Sequence, residues 1–262
     1  MTVLQAAVLG AVQGITEFLP ISSSGHLIIV PKLLGWEAQA VTFDLIIHLA
    51  TLLALFIALR ADVVWLWEGV WKRDQPRVQL TLKLLAASLP AAVVGFFWSD
   101  WLGGFREVQT VAVSLIVWGL LLGAADRFSS MMRGQIKDLG RTRWWQAMLI
   151  GCIQVLSFIP GTSRSGSTMT AGLFAGLDRV AAARFSFLLA IPITAAAGLA
   201  AVFDVTNQGL EITLLPILVG FISAFVFGVL AIRLLLLVLR KTSFVWFAVY
   251  RVVLGIFLLL YL

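Results

Sequence analysis

The long unbroken apolar stretches of this chain leave little choice of fold. Six segments, roughly 41–60, 80–98, 108–124, 184–203, 213–232 and 244–262, each approach the about 20 apolar residues that a helix needs to cross a bilayer. Their apolar residues run continuously rather than alternating, so helices are expected and a membrane barrel is disfavoured. The chain is 61% hydrophobic and 12% charged, against about 25% charged in soluble domains. The expected class is therefore an all-α integral membrane protein. No basic leader precedes the first apolar run, so no cleaved signal peptide is expected. The net charge of +6 is read as membrane topology and not as a nucleic-acid footprint. Cys152 is the one cysteine; it rules out an internal disulfide and is expected to be a small buried packing residue.

Four shorter apolar pieces remain, in two pairs. The run 3–19 leads into PISSSGH (20–26) and then 27–34, while 144–159 leads into PGTSRSGST (160–168) and then 169–177. The second piece of each pair rises only about 12–14 Å, under half of a hydrocarbon core. Such pieces cannot span, and two re-entrant helical hairpins with polar tips inside the protein account for them. The pairs resemble each other: QAAVLGAVQG (5–14) matches QAMLIGCIQV (146–155), and each pair precedes three spans. The chain thus reads as one membrane domain made of a first repeat, 1–128, and a second, 140–262, joined by a polar linker at 129–140. Three spans per repeat invert the second copy, an architecture that places sites at the repeat interface near the midplane.

On that topology fourteen Lys and Arg fall on one side, among them Arg60, Lys72, Arg133, Arg179 and Arg240, and two, Lys32 and Arg106, on the other. The bias makes the first side cytoplasmic and places both termini outside. Trp65, Trp67, Trp71, Trp98, Trp101, Trp144 and Trp145 cluster at segment ends as interfacial anchors.

An ionisable residue within the membrane is a functional candidate. The hairpins hold Glu17, His26 and Arg164 among hydroxyls and amides. Gln13 and Glu17 share a helix face and offer oxygens to a hard divalent cation such as Mg²⁺ or Ca²⁺. The planar donors of Arg164 suit phosphate, as does the helix start at 165–168, and Gly161 and Gly166 permit close backbone approach. His26 can serve as base, acid or nucleophile, and Ser23 as a nucleophile. Ser22 and Thr162 are also natural helix caps, Glu17 can simply pair with Arg164, and Asp44 with His48 is expected to be structural or interfacial. If the two tips meet, they make one pocket suited to a polyanionic phosphate.

The motifs QGITEFLPISSSGH (13–26), PGTSRSGST (160–168) and AARFSFLLAIP (182–192) resemble those of the undecaprenyl-diphosphate phosphatase family, the bacterial bacitracin-resistance proteins, over the full length of the chain. The resemblance implies an enzyme that removes the terminal phosphate of undecaprenyl diphosphate and so regenerates the lipid carrier of cell-wall precursors. It implies a bacterial plasma-membrane location, activity on the outer face and dependence on Mg²⁺ or Ca²⁺. The family's functional residues fall on Gln13 and Glu17 as metal ligands, on Ser23, His26, Glu17 and Arg164 as catalytic residues, and on Ser163, Arg164, Ser165, Gly166 and Thr168 as substrate-binding residues. Gln13 stands where many members carry an acid, which leaves one carboxylate fewer for metal. The nucleophile stays open among Ser23, His26 and water. The expected partners are a polyprenyl diphosphate lipid and the bilayer, with a homodimer allowed and no nucleic acid. The rival expectation is a transporter or flippase of a lipid phosphate or anion that uses the same midplane site.

Overall fold

The computed structural model describes residues 1–102, 107–132, 135–208 and 213–261, and the side chains of all of these except 98–102 and 200–208. Arg106, Arg133 and Gly134 and the side chains of Trp98 and Trp101, all used in the sequence reading, therefore lie outside what is described. Among the described residues the chain is helical, with no strand beyond one isolated bridge between Ile136 and Leu177.

The helices are α1 (Val3–Phe18), α2 (Ser23–Leu33), α3 (Val41–Ala58), α4 (Arg60–Trp71), α5 (Gln75–Leu102), α6 (Val108–Met131), α7 (Trp144–Gln154), α8 (Arg164–Phe174), α9 (Arg179–Gln208), α10 (Leu214–Val238) and α11 (Val245–Tyr261). Five of them, α3, α5, α6, α9 and α10, are long and apolar enough to cross a membrane. The apolar segment expected as a sixth span becomes α11, whose 17 residues rise about 25 Å. The short pieces behave as expected from their length: α2 and α8 have 11 residues each and follow α1 and α7 after a sharp break. The helix α4 was not foreseen. It carries Trp65, Trp67 and Trp71 on its exposed surface, alongside Trp144 and Trp145 at the start of α7.

The surface of the long helices is apolar: Phe96, Leu120, Leu234 and Leu260 are all exposed. In water such a surface would be a liability; against lipid tails it costs nothing, and this is what marks the chain as a membrane protein. Packing inside the bundle then rests on small residues. Gly10 and Gly14 of α1 lie on α10, where an added Cβ would overlap the carbonyl oxygens of Gly220 and Ala224, and Ser223 Oγ donates to the Ala7 carbonyl at 2.7 Å. Gly151 of α7 lies in the same way on Ala87 of α5. The first helix of each short pair is thus clamped to a long helix of the opposite half of the sequence. The N-terminal part of α9, Ala181–Ala190, lies in the largest buried cluster, with Phe187 edge-on to Phe18 at 5.7 Å.

Cys152 is exposed, against the expectation of a buried residue. Its neighbours Ala147, Ile150, Gly151 and Gln154 take the inward face of α7, which turns position 152 outward.

Candidate active site

Both helix pairs break in the same way. Pro20 cannot donate to a helix ladder, and the chain turns at Ser22 with φ +76° before α2 begins. The second pair turns at Gly161 and Ser163, with φ +89° and +70°, before α8. The two serines do the same job. Ser22 Oγ accepts from Gly25 N–H at 3.3 Å and pairs with Ser24, and Ser163 Oγ accepts from Gly166 N–H at 3.0 Å and pairs with Ser165. A left-handed serine is strained, and each strained cap presents the next residue, Ser23 or Arg164, as the first of its helix. Thr162, a cap candidate by sequence, is not the cap; its hydroxyl is buried and has no hydrogen-bond partner.

The two tips meet. Arg164 Nη2 donates to Glu17 Oε1 at 2.6 Å, with both side chains largely buried. Ser165 Oγ donates to the Leu19 carbonyl at 3.1 Å. Beneath both tips lies Arg251 of α11, fully buried. Its guanidinium donates to the carbonyls of Pro20 at 3.1 Å, Gly161 at 2.9 Å and Thr162 at 2.8 Å, so one cation satisfies main-chain acceptors of both breaks. The close approach that Gly166 allows is made by Arg251, and the one at Gly161 by Val111 of α6.

Around the Glu17 carboxylate the groups converge. Its Oε2 accepts from Ser23 Oγ at 2.7 Å and from Gln13 Nε2 at 3.0 Å. His48 Nε2 lies 3.6 Å away, so the Asp44–His48 pair, expected to be structural or interfacial, borders this centre. Arg164 makes its one side-chain hydrogen bond among the described residues to Glu17, which leaves further guanidinium donors for an anion. His26 is placed differently. Its Nδ1 faces the Ser22 carbonyl and its Nε2 the Tyr250 hydroxyl, each at 2.7 Å. A carbonyl only accepts, so Nδ1 carries the proton and Nε2 accepts from Tyr250; neither nitrogen is free. Thr168 is buried, and its hydroxyl bonds the Arg164 carbonyl at 2.7 Å and Ser186 Oγ at 2.6 Å, which supports Arg164 from behind.

The donor set fits a divalent cation in part. No group of three or more His, Cys, Asp or Glu side chains occurs among the described residues, so there is no closed protein cage. Gln13 Oε1, however, is buried without a partner, next to a carboxylate. An orphaned acceptor beside an anion is what a cation relieves, and Mg²⁺-type sites are commonly finished by substrate oxygens.

The family model described as "Bacitracin resistance protein BacA" matches residues 6–257. The chain belongs to the BacA family. Among its relatives are proteins named undecaprenyl-diphosphatase from Idiomarina loihiensis, 40% identical over 99% of both chains, from Gemmatimonas aurantiaca, 44% identical over 98% of this chain and 96% of that one, and from a Sulfurovum species, 37% identical over the whole of both. Within this BacA chain, Arg251, Tyr250 and Ser186 escaped the sequence reading. Only Arg251 carried a signal, a lone charge inside an apolar segment.

Proposed function

We propose that the protein is an integral membrane phosphatase that hydrolyses undecaprenyl diphosphate to undecaprenyl phosphate and inorganic phosphate, recycling the lipid carrier of cell-wall precursors and conferring bacitracin resistance. The observation that carries this reading is the Glu17–Arg164 pair, which joins tips 147 residues apart in sequence and carries Ser23 on the same carboxylate. An acid, a guanidinium and a hydroxyl in contact are the parts that phosphoryl transfer needs, because most of its catalysis is positioning and charge neutralisation.

In this mechanism Arg164 turns its unused N–H groups toward the diphosphate from the positive end of α8. Ser23 Oγ attacks the terminal phosphorus while Glu17 Oε2 accepts its proton, and undecaprenyl phosphate leaves; water then hydrolyses the phosphoseryl group. The engaged nitrogens of His26 favour a positioning role for it at the start of α2. A divalent cation, Mg²⁺ or Ca²⁺, held by Glu17 and Gln13 Oε1, would neutralise phosphate charge when bound.

The architecture we propose has six spans, with α11 as the sixth, and two re-entrant hairpins, α1–α2 and α7–α8, in inverted repeats 1–128 and 140–262. Its support is a constant spacing of 141 residues, which carries Gly10 to Gly151, the left-handed cap Ser22 to Ser163, and Gly25 to Gly166. We place it in the bacterial plasma membrane, both termini and the site facing outward. In support, several of the basic residues assigned to the cytoplasmic side bind acids at the same ends of the helices: Arg179 holds Asp126, and Arg184 holds Asp62. Both tips come from one chain, so a homodimer would carry two independent sites.

The test is phosphate release from undecaprenyl diphosphate by the purified protein in detergent. Metal-dependent release that Glu17→Ala and Arg164→Ala both abolish is expected. Folded wild-type protein that releases no phosphate, yet moves a lipid phosphate across vesicles, would replace the phosphatase with the transporter.

A further inference from the structure

The Glu17 carboxylate faces a second imidazole that the reaction scheme leaves unused. The chain has two histidines, and their surroundings differ. His26 has both nitrogens occupied. His48 Nδ1 lies 2.6 Å from the carbonyl of Asp44, one turn back on α3. A carbonyl cannot donate, so Nδ1 carries the proton and the Nε2 lone pair faces outward. It faces Glu17 Oε2 at 3.6 Å, too far for a direct hydrogen bond. Gln13, whose Nε2 donates to the same Glu17 oxygen at 3.0 Å, has its Oε1 buried without a partner.

We propose, building on the phosphatase reading, that His48 Nε2 is a third ligand, beside Glu17 and Gln13, of the divalent cation at this site, giving it a mixed nitrogen–oxygen donor set. Three observations support it. Two ligands about 2.1 Å from a shared ion and about 90–110° apart are separated by roughly 3.0–3.5 Å, close to the gap seen here. A metal-bound histidine characteristically donates its other N–H to a carbonyl or carboxylate, which the Asp44 carbonyl supplies. Asp44 is itself tied by Gln39, whose Nε2 donates to its Oδ1 at 2.9 Å and to the Leu27 carbonyl at 3.2 Å; the ligand-bearing turn is thereby fixed to α2. There is also a way in. His48 is about one-third exposed, 38%, and lines a cavity of about 700 Å³ together with Ser24, Lys32, Asp44 and Phe158.

Having two histidines makes the test clean. Mn²⁺ is bound to the full-length, tag-free protein in detergent and examined by pulsed electron paramagnetic resonance. The ¹⁴N coupling of one imidazole is expected. It should vanish in His48→Gln and persist in His26→Gln, and Mn²⁺ affinity should fall at least about tenfold in His48→Gln. The proposal is overturned by wild-type protein that binds no Mn²⁺ or binds it without nitrogen coupling, or by a coupling that His26→Gln removes. A wild-type spectrum without nitrogen coupling overturns the proposal without any variant having to fold. Phosphate release measured on the same preparation separates the two ideas: release without nitrogen coupling removes the His48 ligand and leaves the phosphatase standing, and absence of both removes the two together.

Discussion

At the level of single residues, some side chains act in the proposed reaction and others hold them in place. Ser23→Ala is expected to lower kcat by about a thousandfold or more, as loss of a nucleophile does, while leaving thermal stability in detergent near that of the wild type; an unaffected kcat would hand the attack to water or His26. Arg164→Lys keeps the charge but loses the planar donors, and a fall of about a hundredfold in kcat/KM is expected from phosphate-release kinetics. Arg251 is different in kind. Replacing it with Met removes the donor shared by the carbonyls of Pro20, Gly161 and Thr162 and should cost about 3 kcal/mol, read as a lower unfolding midpoint. Much of the site was legible in the residues: Glu17, Ser23 and Arg164 announced themselves as polar groups in apolar surroundings, and they do meet. Arg251 and Tyr250 were not legible in their roles, because their partners lie more than 85 residues away in the chain. His48 was visible but read as peripheral, since nothing local on α3 points to Glu17.

At the scale of elements, length carried the most information. Apolar runs of eight or nine residues cannot span, and the structure breaks both helix pairs where those runs predict. Ser22 was readable as a cap and is one, whereas in the second pair the backbone turn selects Ser163 over Thr162, which is chemically as able to cap. The 12-residue α4 was hidden because its tryptophans and charges mask an apolar signature. Small residues set how closely α1 approaches α10. Gly14→Val would force a Cβ into the backbone of Ala224 and Gly228, and a loss of about 3 kcal/mol is expected. Circular dichroism during heating in detergent would register it, and an unchanged midpoint would mean that α1 does not pack as described.

For the whole molecule, the claim is orientation. With both termini outside, a cysteine at Glu37, exposed between α2 and α3, should react with a membrane-impermeant maleimide in intact cells. A cysteine at Lys72, exposed at the end of α4, should react only after permeabilisation. A Cys152→Ser background is needed because Cys152 is exposed. The reverse pattern would turn the site to the cytoplasm. The proposed inverted repeat rests in the sequence on QAAVLGAVQG and QAMLIGCIQV; what joins the two halves of the chain was not readable, because the helix clamps and the Arg251 tie depend on the folded chain.

Whether the two tips form one catalytic site is decided by a double-mutant cycle. Phosphate release from undecaprenyl diphosphate would be measured for wild type, Glu17→Gln, Arg164→Gln and the double variant. Residues acting as a unit lose nearly everything in the first step, so the double variant should have a kcat/KM within about threefold of the worse single variant. Losses that simply multiply would mean that Glu17 and Arg164 act independently, and the shared site would be wrong.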